Sequence, residues 1–421
     1  MAQQIAAPRG TRDLLPGESF KWRFVERRLA DICGRFGYDE IRTPTFEHTE
    51  LFARGVGDTT DIVGKEMYTF TDKGGRSVTL RPEGTAGTAR SFLQNGVLSG
   101  PLPARAYYIL SCFRYEKPQA GRLREFHQCG IELFGAPGAD ADCEAIRVAY
   151  TILRELQVKN VRLELNSIGC PECRPRYHAA LRDYFKAHES KLCETCRERL
   201  EKNPLRILDC KSPVCQAIAK DAPLTLDYLC GACAEHFEEV KRLCSLAGIQ
   251  YTVNPRIVRG LDYYTRTVFE FVHEAAGAQG TVCGGGRYDG LVEMLGGQSI
   301  PAVGFGMGLE RLVDVLDAEG FPFPPQEPVA LFVCAADAAG RDRARTLVFE
   351  LQRMGVRAQY DLNERSVKAQ FKYADKLGAR YTLTLGESEL AENRAALRNM
   401  SDGSTVTLDI DPAQLAAALS K

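Results

Sequence analysis

Tyr107-Tyr-Ile-Leu-Ser-Cys-Phe-Arg-Tyr-Glu116 and Phe126-His-Gln-Cys-Gly-Ile-Glu-Leu-Phe-Gly135 are two alternating runs around the polar loop Lys117-Pro-Gln-Ala-Gly-Arg-Leu-Arg-Glu125. Side chains alternate faces along an extended chain, so Arg114 and Glu116 share one face of the first run. On the second run Gln128 and Glu132 share a face, and Gly130 between them leaves room for something flat. Paired as a hairpin, the runs give one sheet surface a fixed cation, two carboxylates and an amide beside a basic loop. A buried sheet face rarely tolerates that much polarity unless a ligand pairs it. The hairpin therefore predicts a site for a charged, polar substrate.

Upstream, 77–81 reads as a strand running into Pro82-Glu-Gly-Thr85, a strand-to-helix turn with Thr85 as cap, and a helix follows from Ala86. Nearer the start, Phe20, Phe24, Val25, Leu29, Ile32, Cys33 and Phe36 recur at helical spacing. Gly37 stops that helix, and 38–44 reads as a short strand ending in Pro44. Downstream come a helix near 142–156, a strand over 160–166, a cysteine-rich stretch with helical segments, and a return to the strand pattern near Tyr251. From Ala302, glycines 304, 306 and 308 fall on one strand face and leave a bare strip for a planar base; taken alone, they suit tight strand packing equally. The next helix buries Leu309, Leu312, Val313 and Leu316, with Arg311 off that stripe and available to a phosphate or a base. The pattern predicts an α+β fold, an antiparallel β-rich core interrupted by a small module.

At 421 residues the chain exceeds one ordinary core, so two or three domains are expected. Phe321-Pro-Phe-Pro-Pro-Gln-Glu-Pro328 is a linker by proline content. Beyond it a strand at 329–334, a helix to Met354, a strand around 357–360, a helix carrying Phe371, Ala374 and Leu377, and a strand at 381–385 alternate as in a small α/β domain. A net charge of −1 argues against an avid, nonspecific nucleic-acid binder, while leaving room for basic residues gathered on one surface. Candidates are Arg341, Arg343, Arg345, Arg365, Lys368, Lys372 and Lys376, which also suit ordinary solvated helix faces. No apolar run approaches the roughly 18 residues of a membrane helix, and no signal peptide is read, so the expected location is cytoplasmic. There is no Walker A sequence, and the glycines at 284–290 lack dinucleotide spacing. A nucleotide would be held by arginines on a sheet face.

Phe113-Arg-Tyr-Glu116, the loop, and Arg124-Glu-Phe-His-Gln128 together resemble motif 2 of the class II aminoacyl-tRNA synthetases. Gly304-Phe-Gly-Met-Gly-Leu-Glu-Arg311 is similar to motif 3, and the helix over 18–36 with its following strand resembles motif 1, whose family role is dimerisation. Arg259-Gly-Leu-Asp-Tyr-Tyr264 and Gly284-Gly-Gly-Arg-Tyr-Asp-Gly290 look like the two blocks peculiar to histidyl-tRNA synthetases. The resemblance implies a class II catalytic domain over 1–325 with a cysteine-rich insertion at about 168–250, and a C-terminal α/β anticodon-binding domain over 326–421. It also implies a homodimer, ATP with Mg²⁺, L-histidine and tRNA(His). Histidine is activated to the adenylate and passed to the 3′ end of the tRNA. The alternative on the same fold is a non-catalytic regulatory subunit of histidine biosynthesis. Such paralogues typically lose active-site residues and the C-terminal domain, both of which this chain keeps.

Carried over residue by residue, the resemblance implies that Arg114 lies on the α-phosphate of ATP and Arg311 at the γ-phosphate end. Arg122 also reaches phosphate, Glu116 assists the adenine edge, and Arg259 faces both the α-phosphate and the histidine carboxylate. Arg122 and Glu116 suit a structural ion pair as well. Neutral imidazole has one donor and one acceptor nitrogen; Glu132 takes the N–H and Tyr264 serves the other. Glu83, Thr85 and Gln128 resemble the set that binds the amino group. Tyr263 belongs to the same block, and Leu261 and Tyr288 are expected only to shape the wall. Gln119 and Arg124 are the loop's candidates for the tRNA acceptor stem, with plain solvation as the other account.

Fifteen cysteines suggest disulfides at first, but eight lie between Cys170 and Cys233 in a chain read as cytoplasmic. Cys170/Cys173, Cys193/Cys196 and Cys230/Cys233 are Cys-x-x-Cys pairs, with Cys210 and Cys215 as a looser fourth. Two Cys₄ sites for structural Zn²⁺ are expected, with thiol redox chemistry as the rival. The simplest grouping joins 170/173 with 193/196 and 210/215 with 230/233.

Overall fold

Period-two alternation along the hairpin builds the spine of the larger sheet. In the computed structural model, residues 5–419 are described apart from 58, 59, 61, 119–121, 209, 211, 258 and 275–279. Strands Ala104–Phe113 and Glu125–Phe134 pair antiparallel, with Tyr108 opposite Gly130 and Leu110 opposite Gln128. Strand Ala302–Gly308 joins on the far side, Gly304 opposite Glu132 and Gly308 opposite Gln128. The eight-stranded order is Asp39–Glu40, Ala104–Phe113, Glu125–Phe134, Ala302–Gly308, Thr281–Arg287, Thr265–Val272, Arg162–Ser167, Tyr251–Val253. Only the two outermost pairings are parallel, so the sheet is antiparallel through its centre.

That alternation sorts the sheet into two faces. Cys129, Ile131, Leu133, Phe269, Phe271, Cys283, Val303, Phe305 and Met307 point into the main core under the helices Pro16–Arg35, Ala139–Glu155, Gly231–Leu246 and Leu309–Ala318. The intervening residues Gln128, Gly130, Glu132, Glu270, Gly284, Gly304, Gly306 and Gly308 belong to the opposite face. Burial of each large core side chain stabilises the fold by roughly 1.5–3 kcal/mol, which fixes the register and with it the polar face.

The first helix buries Trp22, Val25, Leu29, Ile32 and Cys33, whereas Phe20, Phe24 and Phe36 are only half-buried. The strand expected at 38–44 shortens to Asp39–Glu40, beside a buried Tyr38 whose hydroxyl donates to Glu144 at 3.0 Å. Arg81, buried where Ser77–Leu80 meets the turn, donates to the carbonyls of Ser111 (2.7 Å), Thr43 (2.8 Å) and Pro44 (3.1 Å). Its charge is thereby satisfied, and the turn at 82–85 is tied to the hairpin.

Between Arg162–Ser167 and Tyr251–Val253 the chain leaves the sheet for the cysteine-rich module. Helices Cys173–Lys186, Glu194–Lys202, Leu205–Leu208 and Pro213–Ala219 enclose a separate small core of Tyr177, Leu181, Phe185, Leu192, Leu200 and Ile207.

The chain divides into two compact units after Phe323. The second has a five-stranded sheet ordered Ala358–Tyr360, Leu331–Ala335, Tyr381–Leu385, Arg394–Asn399, Thr405–Asp409. Its first three strands are parallel, and the last two form an antiparallel extension that the β/α alternation did not reveal. Four of its candidate arginines are tied to local acids: Arg341 to Glu364 (2.6 Å), Arg343 to Glu350 (3.1 Å), Arg345 to Asp342 (2.8 Å) and Arg365 to Asp361 (2.6 Å). Lys368, Lys372 and Lys376 are exposed at every fourth position of helix Val367–Lys376.

Candidate functional site

The glycine-rich face opens into a cleft of about 860 Å³ lined by Arg114, Glu116, Arg122, Gln128, Arg259, Leu261, Glu270 and Arg311, with Gly284, Gly306 and Gly308 in its floor. Arg114 stands one residue beyond its strand, where its Nε donates to the Pro82 carbonyl at 2.9 Å and its guanidinium lies 5.2 Å over the Phe126 ring. Arg122 pairs with Glu116 at 3.0 Å, and Arg114 reaches the same carboxylate at 3.9 Å. Arg311 donates to the Thr281 carbonyl at 2.8 Å. Burial first, and then the neighbouring Arg122, hold the Arg311 guanidinium below its ordinary pKa. Cations crowded in this way attract anions.

Arg259 fills the notch where Gly284 lacks a side chain and forms an ion pair with Glu270. Burial opposes its charge most strongly, but Glu270 and Tyr264 together outweigh that and raise its pKa overall. Glu270 also accepts from the Thr281 hydroxyl at 2.7 Å, and the Tyr264 ring lies 5.7 Å from the guanidinium. Glu270 escaped the sequence reading; its signal was a lone acid within the run Val268-Phe-Glu-Phe-Val272.

Next to the cleft lies a buried cluster of polar side chains. The fully buried Glu132 carboxylate accepts from Thr85 Oγ1 (2.6 Å), from the Tyr108 hydroxyl (3.0 Å) and from the Tyr288 hydroxyl. Burial raises its pKa to about 8, with Glu83 adding to the rise and these hydrogen bonds opposing it. Glu83 accepts from the amides of Thr85 (2.7 Å) and Ala86 (2.8 Å) and so caps helix Thr85–Gln94, with the Tyr263 hydroxyl 3.5 Å away. Gln128 Oε1 accepts from the Gly84 amide at 3.1 Å. Glu83, Thr85, Gln128, Glu132, Tyr263 and Tyr264 thus surround one corner, from which Gln128 and Leu261 reach the cleft.

Three expectations are corrected here. Tyr288 does more than shape a wall: its phenol is bonded to Glu132, because Gly304 leaves space for both groups on the neighbouring strand. The flat object beside Gly130 is the Tyr108 ring, which a Cβ at Gly130 or Gly84 would strike. Tyr108 was missed because an alternating strand pattern does not distinguish a buried phenol with a partner from a core aromatic. The bare strip is also shorter than its glycines suggest. Glu132 lies across Gly304 and the Gln128 amide across Gly306, so of the three only Gly308 has room for a side chain, with Arg311 4.0 Å away.

In the basic loop, Gln119 lies outside the described residues. Arg124 stacks 4.1 Å over the Tyr115 ring and donates to the Glu116 carbonyl at 3.2 Å. Its guanidinium holds the loop together as well as facing outward.

All eight candidate cysteines are free thiols, and they form two clusters, but not in the expected grouping. Cys170 and Cys173 gather with Cys230 and Cys233, and Cys193 and Cys196 with Cys210 and Cys215. The pairs nest because the module is a loop. The outer four close its base, where the chain leaves the sheet and helix Gly231–Leu246 returns, and the inner four close its tip. Sulfur–sulfur separations of 3.7 Å (170–173), 3.9 Å (170–230) and 3.7 Å (193–210) match the roughly 3.8 Å edge of a tetrahedron with Zn–S near 2.3 Å. The Cys230 amide donates to Cys173 Sγ at 3.1 Å and the Cys193 amide to Cys215 Sγ at 3.3 Å. Amide donors of this kind favour thiolates, the form in which cysteine binds a metal.

An antiparallel sheet with arginines converging above a glycine strip, and no phosphate-binding glycine loop, defines the catalytic fold of a class II aminoacyl-tRNA synthetase. Residues 10–312 match the family model described as histidyl-tRNA synthetase, and 329–419 match the anticodon binding domain. A histidine–tRNA ligase of Acetivibrio thermocellus is 52% identical over 96% of this chain and 97% of its own length, and one from Caldanaerobacter subterraneus is 51% identical over the same shares. The crystal structure of apo histidyl-tRNA synthetase from S. aureus superposes with a TM-score of 0.83 at 36% identity, covering 99% of this chain and 100% of that one. The chain belongs to the histidyl-tRNA synthetase family.

Proposed function

We propose that the protein is a histidine–tRNA ligase that joins L-histidine to ATP as histidyl-adenylate and then transfers the histidyl group to the 3′ end of tRNA(His). The observation that carries this reading is the placement of Arg114, Arg259 and Arg311 around one cleft, with Gln128 in its wall and the buried Glu132 four residues on along the same face of strand Glu125–Phe134. In the first step a carboxylate oxygen of histidine attacks the α-phosphorus of ATP and diphosphate leaves. Arg259 faces both anions, relieves their repulsion and stabilises charge building on the phosphoryl oxygens, assisted by Arg114. Glu270 holds Arg259 in that position. Arg311 and Arg122 take the far phosphates; Mg²⁺ bound with ATP would supply further charge neutralisation for the diphosphate. Glu116 meets the adenine edge once ATP has drawn its arginine partners away. The attacking carboxylate is already ionised, so this step needs no general base.

The imidazole N–H donates to Glu132 and Tyr264 serves the other ring nitrogen, while Glu83, Thr85 and Gln128 receive the ammonium. Displacing Tyr288 from Glu132 makes room for the ring. A site with this many directed polar groups rejects side chains that leave them unpaired. Arg124 and Gln119 are proposed for the acceptor stem, and the C-terminal unit for the anticodon. Both tetrathiolate clusters hold structural Zn²⁺. A homodimer acting in the cytoplasm completes the reading; no described helix is long and apolar enough to cross a membrane. The regulatory alternative predicts a degraded site, whereas the arginines above and a folded C-terminal unit are present.

Pyrophosphate–ATP exchange tests the reading. Exchange should require histidine and fail with the other amino acids. Arg259→Ala should slow it by about 10³-fold or more without altering the melting temperature. Exchange near the wild-type rate in that variant removes Arg259 from the mechanism.

A further inference from the structure

The segment 259–264 supplies Arg259, Tyr263 and Tyr264, yet it is a loop rather than part of the sheet. Its rigidity has to come from outside, and the cysteine module provides two arginines. Arg206, on the chain between Cys196 and Cys210 of the inner cluster, donates to the Gly260 carbonyl at 3.1 Å. Arg174 follows Cys173 of the outer cluster directly, and its guanidinium donates to the Tyr264 carbonyl. The tie is reciprocated: Arg256, just before the segment, donates to the Lys220 (2.7 Å) and Ala222 (2.8 Å) carbonyls of the module.

We infer that Arg174 and Arg206 are positioning residues for histidine activation, which clamp the peptide carbonyls of Tyr264 and Gly260 and so aim Arg259 at the reacting carboxylate and phosphate. Resting on the reading above, the inference assigns the inserted module a part in the first half-reaction, before any tRNA is bound. Each clamp sits within a few residues of a cysteine cluster, so each guanidinium starts from a fixed backbone. A carbonyl held by a planar guanidinium fixes its peptide plane, so Arg206 pins the peptide directly after Gly260, the residue next to Arg259, and Arg174 pins the far end of the loop at Tyr264. Gly260 has no side chain to restrain its own torsions, so Arg206 supplies a restraint the residue itself lacks. Misplacing a reacting group by about 1 Å costs on the order of 100-fold in rate.

The experiment compares the full-length, metal-loaded chain with Arg206→Ala, Arg174→Ala and Arg206→Lys in histidine-dependent pyrophosphate exchange without tRNA. Wild type must first show that exchange; if it does not, the proposed function fails, whatever the variants do. With exchange established, each alanine variant should lose roughly 10- to 100-fold in kcat, with little change in the KM for ATP, and with metal content and melting temperature unchanged. Deuterium uptake in peptides spanning 256–264 should rise in both, and Arg206→Lys, which still presents a donor to Gly260, should recover part of the rate. Wild-type kcat in either alanine variant overturns the inference for that arginine. A rate loss accompanied by metal loss, or without faster deuterium uptake, overturns positioning in favour of simple support of the module.

Discussion

Histidine binding should drive a proton off Glu132. This carboxyl is fully buried, and burial raises its pKa to about 8 in the unliganded protein, so most molecules carry it neutral at pH 7 and far fewer at pH 9. Donation from the imidazole N–H favours the ionised form. Binding should therefore release the larger part of a proton at pH 7 and much less at pH 9. Isothermal titration calorimetry in two buffers of different ionisation enthalpy measures this directly. Glu132→Gln keeps an acceptor oxygen but cannot release the proton, so subtracting its signal removes whatever the ligand's own ring loses. That variant should bind histidine roughly 10- to 100-fold more weakly, the cost of replacing a charge-assisted hydrogen bond. The same group affects stability. Its folded pKa stands above the ordinary glutamate value of 4.5, so its contribution is fully present below about pH 4.5 and is lost as pH rises through 8. The loss is bounded by roughly 5 kcal/mol. Melting temperature without ligand should accordingly fall between about pH 4.5 and 8 and level off above that, and saturating histidine should flatten the decline. Identical proton release from wild type and Glu132→Gln would refute the assignment of Glu132 to the ring.

Metal analysis of protein purified without chelator should find about two zinc per chain, and Cys193→Ser, in the inner cluster, should lose one of them while keeping the other. Gly130→Ala forces its Cβ against the Tyr108 ring and the backbone of Phe305; it should cost about 1–3 kcal/mol in denaturant titrations and raise the KM for histidine as Tyr108 leaves Glu132. Replacing Lys368, Lys372 and Lys376 together by alanine should raise the KM for tRNA and flatten its salt dependence, while pyrophosphate exchange stays at the wild-type rate.

The strand alternation from 104 to 134 was legible because one of its faces is a continuous apolar row, and burial of that row admits a single register. The glycine strip and its following helix were legible for the same reason: the stripe Leu309, Leu312, Val313 and Leu316 is buried as spaced. The last two strands of the C-terminal sheet were not, because Arg394–Asn399 and Thr405–Asp409 carry charged and exposed residues along most of their length. Arg394–Asn399 does bury alternate residues, but they are only Ala395 and Leu397, and Thr405–Asp409 shows no period-two burial.

Sequence alone placed an arginine, carboxylates and an amide on one face of the hairpin, because side chains alternate faces along an extended chain. It also determined that the cysteines come in pairs. Tertiary structure alone decided which pairs meet, because nesting depends on where the module leaves and rejoins the sheet. It alone brought Tyr108 and Tyr288 onto Glu132, Glu270 onto Arg259, and Arg174 and Arg206 onto the loop at 259–264. These contacts join residues from 11 to 156 positions apart. No local pattern encodes such meetings; they follow only once the sheet has fixed its register and the helices have packed.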